Sequence, residues 1–168
     1  MRILGIDPGY GITGFGLVEA QRGQTRLLHC GAITTPAGMD FPARLEIIYE
    51  DMRKLLELAK PQEVAIEELF FGQNVTTGIG VAQSRGVILL AVQQAGLPVH
   101  AYKPMQVKQA VVGYGGATKH QVMDMTGRLL GLSQMPKPDD AADAIAIALC
   151  HARSSTSLLR QQGAKGGF

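Results

Sequence analysis

The sequence has no aspartate or glutamate between Leu69 and Met123, although arginine, lysine and histidine occur in that stretch. Residues 1–68 contain ten acidic and seven basic side chains, a formal charge of −3, whereas residues 69–168 contain four and nine, a formal charge of +5. A surface with few acids tolerates a polyanion. A chance fluctuation in a segment rich in Gly, Val and Gln would give the same composition, so the charge pattern alone decides nothing.

Cysteine and long apolar runs are also scarce. The two cysteines, Cys30 and Cys150, have no metal-like spacing, and we interpret them as small core residues in a reducing compartment. We find no apolar run long enough to span a bilayer, and we expect no signal peptide because the first predicted strand starts at residue 2. The sequence therefore predicts a cytoplasmic protein without membrane association. The four histidines are scattered, which argues against a zinc site.

The hydrophobic pattern predicts a single α/β domain over residues 1–153. Apolar runs indicate strands at 2–7, 13–20, 25–34, 63–67 and 98–102. Helical spacing indicates helices at 42–59, 81–95, 104–112, 117–130 and from about 138, with loops at 35–40 and 70–80. Residues 154–168 show no sustained pattern, and we expect a disordered basic tail there.

The first predicted strand ends in a carboxylate, Asp7. A charge at the mouth of a buried strand is costly unless a cation or a hydrogen-bonding turn neutralises it, and the following Pro-Gly turn is one such alternative. Glu67 ends the fourth strand in the same way. Asp140 and Asp143 begin the last helix three residues apart and share one of its faces, whereas Asp139 is better explained as a helix cap.

These four acids have the chemistry that hard divalent cations require. Carboxylates without histidine or cysteine partners favour Mg²⁺ or Mn²⁺ over zinc. Two such ions, about 3.5 to 4 Å apart, can activate a water on one side of a phosphodiester and stabilise the departing oxygen on the other. The residues alone therefore favour metal-dependent phosphodiester chemistry.

Five segments carry a resemblance to a known family. They are Ile3–Gly9, Arg44–Leu45 with the helix after it, Ala65–Glu67 followed by Phe70, Gln106–Gly113, and Asp140–Ala148. In this order and at these separations they resemble the bacterial RuvC family of Holliday-junction resolvases, from residue 2 to about residue 152. The resemblance implies an RNase H-like α/β fold, with a five-stranded mixed sheet of order 3-2-1-4-5 flanked by helices on both faces.

The resemblance also implies a function. The family is a homodimer that binds four-way DNA junctions and resolves them by symmetric paired nicks that leave 5′-phosphate ends, in homologous recombination and DNA repair. A branch-migration complex of the RuvA and RuvB type is the further partner that it implies.

Individual residues match functional positions of that family. The family's four catalytic acids, which hold two Mg²⁺ or Mn²⁺ ions per active site, match Asp7, Glu67, Asp140 and Asp143. Lys108 and Lys119 match basic positions near the scissile phosphate, and Phe70 matches an aromatic that stacks on an exposed base. The alternatives are a core aromatic for Phe70 and ordinary surface solvation for the two lysines. Arg85 could equally contact a phosphate or be structural.

Two other functions compete with this interpretation. The start Gly-Ile-Asp-Pro-Gly resembles the phosphate loop of the actin, hsp70 and sugar-kinase group, but those ATP-handling proteins need two such domains and the chain has length for one. A non-catalytic nucleic-acid-binding module with a degenerate RNase H fold would be expected to lose at least one of the four acids. None is missing.

Overall fold

The computed structural model describes residues 1–69 and 75–165, with side chains up to Ser155. In this part of the chain the strands are β1 (Arg2–Asp7), β2 (Ile12–Gln21), β3 (Gln24–Thr34), β4 (Glu63–Glu67) and β5 (Val99–Tyr102). The helices are α1 (Phe41–Ala59), α2 (Val75–Gln94), α3 (Pro104–Val112), α4 (Lys119–Leu130) and α5 (Asp139–Lys165). Strand and helix positions thus follow the predicted order.

Strand β1 forms the centre of the sheet. The strand order is β3-β2-β1-β4-β5; β1 pairs antiparallel with β2 and parallel with β4, and β4 pairs parallel with β5. Ile3, Leu4 and Ile6 are fully buried, as expected for a strand covered on both faces. The predicted α/β class and the order 3-2-1-4-5 are therefore confirmed.

Helices cover both faces of the sheet, which also agrees with the prediction. On one face, α3, α4 and α5 pack over side chains such as Ile3 and Val18. On the other face, α1 and α2 pack over Leu4, Ile6 and Ile66. The connection from β3 through α1 to β4 places β4 beside β1, so that two parallel strands end at the same edge.

Helix α5 rests almost directly on the main chain of the sheet. A Cβ atom at Gly5 would lie 2.0 Å from the carbonyl oxygen of Ala144, and one at Gly14 would lie 2.0 Å from that of Asp140. No side chain fits at either position, because real Cβ atoms do not approach oxygen so closely. The glycines therefore set the distance between the start of α5 and the ends of β1 and β2.

Helix α2 begins six residues earlier than the sequence predicts, at Val75 instead of 81. The predicted loop at 70–80 is therefore wrong for residues 75–80; Thr and Gly there have low helix propensity, which tertiary packing overrides. The expectation that no apolar run could span a bilayer is also wrong by length and composition, because the complete 20-residue helix passes that test. Its Ile88, Ala91 and Val92 are buried, as in a helix that covers a sheet.

Helix α5 continues beyond the predicted domain boundary at residue 153. Its backbone is helical as far as Lys165, and the Ser155 hydroxyl donates to the carbonyl of His151 at 2.9 Å. The backbone of residues 154–165 is thus helical, where we expected a disordered basic tail. The division into a nuclease domain over 1–153 and a separate tail over 154–168 stays a prediction.

Candidate active site

The carboxyl ends of two neighbouring strands bring two of the predicted acids together. Ile6 of β1 pairs with Ile66 of β4, so Asp7 and Glu67 are the next residues of adjacent parallel strands. Asp143, in the first part of α5, faces the same edge. These three carboxylates line a cavity of about 220 Å³, which we call the acidic cavity.

The two predicted lysines lie in the wall of the acidic cavity. Lys108 comes from α3 and Lys119 from the first turn of α4, and both line the same space as the acids. Helix α4 begins there because the Thr118 side chain accepts a hydrogen bond from the backbone N–H of Gln121. The remaining lining is apolar: Pro104, Val107, Val122, Met123, Ala146 and Ile147.

Asp7 has the most strongly perturbed carboxyl group of this set. Burial is the largest cause, followed by the charges of Glu67, Asp143 and Asp140, and together they raise its pKa from 3.8 to about 8, although Lys119 acts in the opposite direction. Asp140 does not line the acidic cavity, yet its charge reaches Asp7. Four acids arranged in this way repel one another unless cations intervene.

Their surroundings also shift the pKa values of Glu67 and Lys119. Burial, and then the charge of Asp143, raises the pKa of Glu67, while Lys119 lowers it. Lys119 Nζ donates to Asp143 Oδ2 at 3.0 Å, and this hydrogen bond is the main reason why the pKa of Lys119 is raised. Two lysines cannot balance four carboxylates, so the site has the electrostatic character of a divalent-cation site.

Residues that the sequence could not assign hold the strand ends in place. Arg85 Nε donates to the carbonyl of Glu67 at 3.1 Å, which gives Arg85 a structural contact. The hydroxyls of Thr13 and Ser84 both donate to the carbonyl of Gly9, at 2.6 and 2.8 Å, and both side chains are fully buried. The turn after Asp7 is thereby fastened to α2.

The outcome for the other predicted residues is mixed. Asp139 lies in the first turn of α5, and its charge contributes to the raised pKa of Lys119. Phe70 lies outside the described residues, so its stacking role stays a prediction. The roles of the four acids and of the two lysines likewise stay predictions, although five of these six side chains line one cavity.

Comparison with known proteins decides the family. A family model described as crossover junction endodeoxyribonuclease RuvC matches residues 3–151. The chain belongs to the RuvC family. A crossover junction endodeoxyribonuclease RuvC from Chloroflexus aurantiacus is 56% identical over 160 residues, which cover 95% of this chain and 98% of that relative.

Solved RuvC structures agree with this assignment. A Thermus thermophilus RuvC structure has a TM-score of 0.87 and 38% identity, covering 94% of this chain and 96% of that one. T. thermophilus RuvC in complex with a Holliday junction substrate has a TM-score of 0.87 and 39% identity, covering 92% and 94%. RuvC-family nucleases depend on metal ions, and the all-oxygen donors and mutual repulsion in the acidic cavity fit that dependence.

Proposed function

We propose that this chain is a homodimeric endonuclease that resolves four-way DNA junctions by symmetric paired nicks, in homologous recombination and DNA repair. The observation that carries this proposal is the convergence of Asp7, Glu67 and Asp143 with Lys108 and Lys119 around one cavity in a RuvC-family fold. Carboxylates that repel one another, next to lysines that attract phosphate, suit hydrolysis of a phosphodiester.

Asp7, Glu67, Asp140 and Asp143 would hold two Mg²⁺ or Mn²⁺ ions. When bound, such ions activate the attacking water and stabilise charge on the departing oxygen. The fit rests on the donor set, because the acidic cavity is lined by carboxylate oxygens and by no histidine or cysteine among the described residues. Asp7 belongs to the central strand and experiences the charges of the other three acids, which favours it as the ligand shared by both ions.

Lys108 and Lys119 would then contact the negatively charged phosphates. Lys119 Nζ lies 3.0 Å from Asp143 and is 59% exposed at its side chain, so it can exchange the carboxylate for a phosphate oxygen when DNA arrives. Lys108 lines the same cavity from α3. Phosphate contacts of this kind give affinity that falls as salt rises but carry no sequence information.

Helix α2 provides the surface that we propose for the homodimer. Val75, Ile79 and Leu90 are 59%, 51% and 52% exposed, so large apolar side chains of this helix are in contact with water. Pairing of this face between two chains would fix the spacing of two acidic cavities, so a four-way junction would be selected by its shape. It would also explain the apolar character of α2 in a cytoplasmic protein. Family membership extends the proposal to a partner complex of the RuvA and RuvB type.

The test is incubation with a labelled four-way junction and with a linear duplex, each with EDTA, Mg²⁺ or Mn²⁺. We expect paired nicks with 5′-phosphate ends in the junction alone, and only with a metal ion. Asp7→Asn should still bind the junction and should not cut it. Cutting by the Asn variant at the normal rate would refute the metal assignment, and metal-dependent ATP hydrolysis without cutting would favour the competing ATP-handling function.

A further inference from the structure

A second group of metal-ligating side chains lies at the other end of β4. Glu63 begins this strand, His100 lies on the neighbouring β5, and His151 lies on α5. One ligand atom from each residue lies within 4.8 Å of the others. Because Glu63 and Glu67 are the first and last residues of β4, the group is about 13 Å from the acidic cavity along the strand. Histidine spacing in the sequence argued against a zinc site, but the fold brings together residues that are far apart in the chain.

The three side chains converge on one small volume. Glu63 Oε2 lies 2.5 Å from His151 Nε2 and 3.2 Å from His100 Nε2. The two imidazole rings stack with their centroids 4.3 Å apart. One nitrogen atom of each ring and one carboxylate oxygen therefore lie around one small volume, and the His151 nitrogen is hydrogen-bonded to the carboxylate. The nitrogen lone pairs lie in the ring planes, so the two stacked rings have to turn toward each other before both can bind the same ion.

Tyr102 determines which ring nitrogen of His151 faces Glu63. Its hydroxyl oxygen lies 2.6 Å from His151 Nδ1, which leaves Nε2 directed at Glu63. A metal-bound histidine usually donates its other ring N–H to an oxygen, and this contact fixes its orientation and tautomer. The His151 side chain is 3% exposed, whereas those of His100 and Glu63 are 42% and 28% exposed, so an ion can enter from their side.

We propose that Glu63, His100 and His151 bind one divalent transition-metal ion, with Zn²⁺ as the best match. Two imidazoles and one carboxylate are an established zinc ligand set, with water in the fourth position, whereas Mg²⁺ prefers oxygen ligands alone. Around a tetrahedral ion with bonds of about 2 Å, ligand atoms lie about 3.3 Å apart. The His100–Glu63 distance of 3.2 Å already matches, and the His151–Glu63 pair has to open from 2.5 Å. Any proton held between His151 Nε2 and Glu63 Oε2 has to leave for solvent before an ion can bind there.

The ion would connect the elements that carry the acidic cavity. Strand β4 carries Glu67 at its far end, and α5 carries Asp143 about two turns before His151. A metal bridge between β4, β5 and α5 would therefore stabilise the fold at the end remote from DNA cutting. This site is independent of the proposed nuclease function, and it can exist whether or not the acidic cavity cuts junctions.

The experiment is a Zn²⁺ titration of the full chain against a chromophoric chelator, in excess Mg²⁺ so that the oxygen ligands of the acidic cavity are occupied. We expect one equivalent of tightly bound Zn²⁺ in the wild type. His100→Gln and Glu63→Gln should each weaken this binding at least about 10-fold, since even the loss of an outer contact of a ligand has that effect. His29→Gln, an exposed histidine on β3, is the matched control and should bind Zn²⁺ as the wild type does.

Co²⁺ provides a readout that does not depend on variants. Tetrahedral Co²⁺ with nitrogen ligands absorbs visible light far more strongly than octahedral Co²⁺ bound by carboxylates, so the wild type should turn intensely coloured at one equivalent. Circular dichroism checks that each variant is folded. Absence of a tight Zn²⁺ equivalent in the wild type, or equal affinity in His100→Gln, Glu63→Gln and His29→Gln, would overturn the proposal and leave a hydrogen-bonded network only.

Discussion

Replacement of Asp7 by asparagine should stabilise the metal-free protein at pH 8. The fold raises the pKa of Asp7 from 3.8 to about 8, mainly by burial and then by the charges of Glu67, Asp143 and Asp140. Because the pKa of Asp7 is higher in the folded than in the unfolded chain, the unfolded chain loses the proton first as the pH rises. The free energy of unfolding is therefore unaffected by Asp7 below pH 3.8 and falls as the pH rises from there to 8. Asparagine cannot ionise, so the variant does not suffer this loss.

The size of the effect follows from the shift. At 1.36 kcal/mol per pKa unit, a shift of about 4 units corresponds to at most about 5 kcal/mol at pH 8. Asp7 keeps some contact with solvent, which screens the charges of its neighbours, so we expect about half of this, roughly 2 to 3 kcal/mol, or about 4 to 12 °C in Tm for a chain of this size. At pH 5 the difference should shrink to less than about 1 kcal/mol, because most of the ionisation penalty has disappeared.

The assay is thermal or urea unfolding in EDTA across pH 5 to 9. Asp40→Asn is the matched control, because Asp40 is exposed and its side chain makes no capping hydrogen bond. Added Mg²⁺ should raise the Tm of the wild type at pH 8 but not that of Asp7→Asn. A variant that is less stable than the wild type at pH 8, or a difference that does not change with pH, would refute the electrostatic argument.

Three further predictions concern DNA contact, packing and support of the site. Lys108→Ala should weaken junction binding, measured by fluorescence anisotropy, and should reduce by about 1 the slope of the logarithm of the binding constant against the logarithm of salt concentration. Lys54→Ala on α1 is the control and should change neither quantity. An unchanged slope for Lys108→Ala would contradict a phosphate contact. Gly14→Ala should cost about 2 to 3 kcal/mol in urea unfolding and abolish cutting, because its Cβ would collide with the start of α5, while Gly38→Ala, with nothing within 4 Å, should be neutral. Arg85→Gln should lower kcat and leave junction affinity unchanged, because the contact it loses is to the main-chain carbonyl that ends β4; a selective loss of affinity would indicate a DNA contact instead.

The sequence predicted most of the fold because its strands and turns have clear local residue patterns. The run from Ile3 to Asp7 reads as a buried strand ending in a carboxylate, and Arg22 and Gly23, with φ of 52° and 82°, form a tight turn between β2 and β3, a position where glycine is typical. The start of α2 was missed because Gly80 and its neighbours have poor helix propensity, and only packing of Gly80 against the Tyr10 ring shows why glycine is there.

The acids of the candidate site could be predicted from the sequence, but the residues that hold them in place could not. Asp7 and Glu67 both end apolar strands, a pattern visible in the chain. The contacts of Arg85 and Ser84 go to main-chain carbonyls, which have no sequence signature. The group of Glu63, His100 and His151 could not be predicted for a similar reason, since its members come from separate elements and show no regular spacing in the sequence.

The glycine contacts under α5 have a consequence for how the carboxylates keep their positions. Where a helix lies on a layer of branched side chains, changes of rotamer let it slide by fractions of an ångström. Here the backbone of α5 touches the backbone of the sheet at Gly5 and Gly14, so no rotamer can absorb a displacement. Asp140 and Asp143 are therefore held in register with Asp7 by rigid peptide units, and thermal motion in the rest of the core should leave their separation almost unchanged.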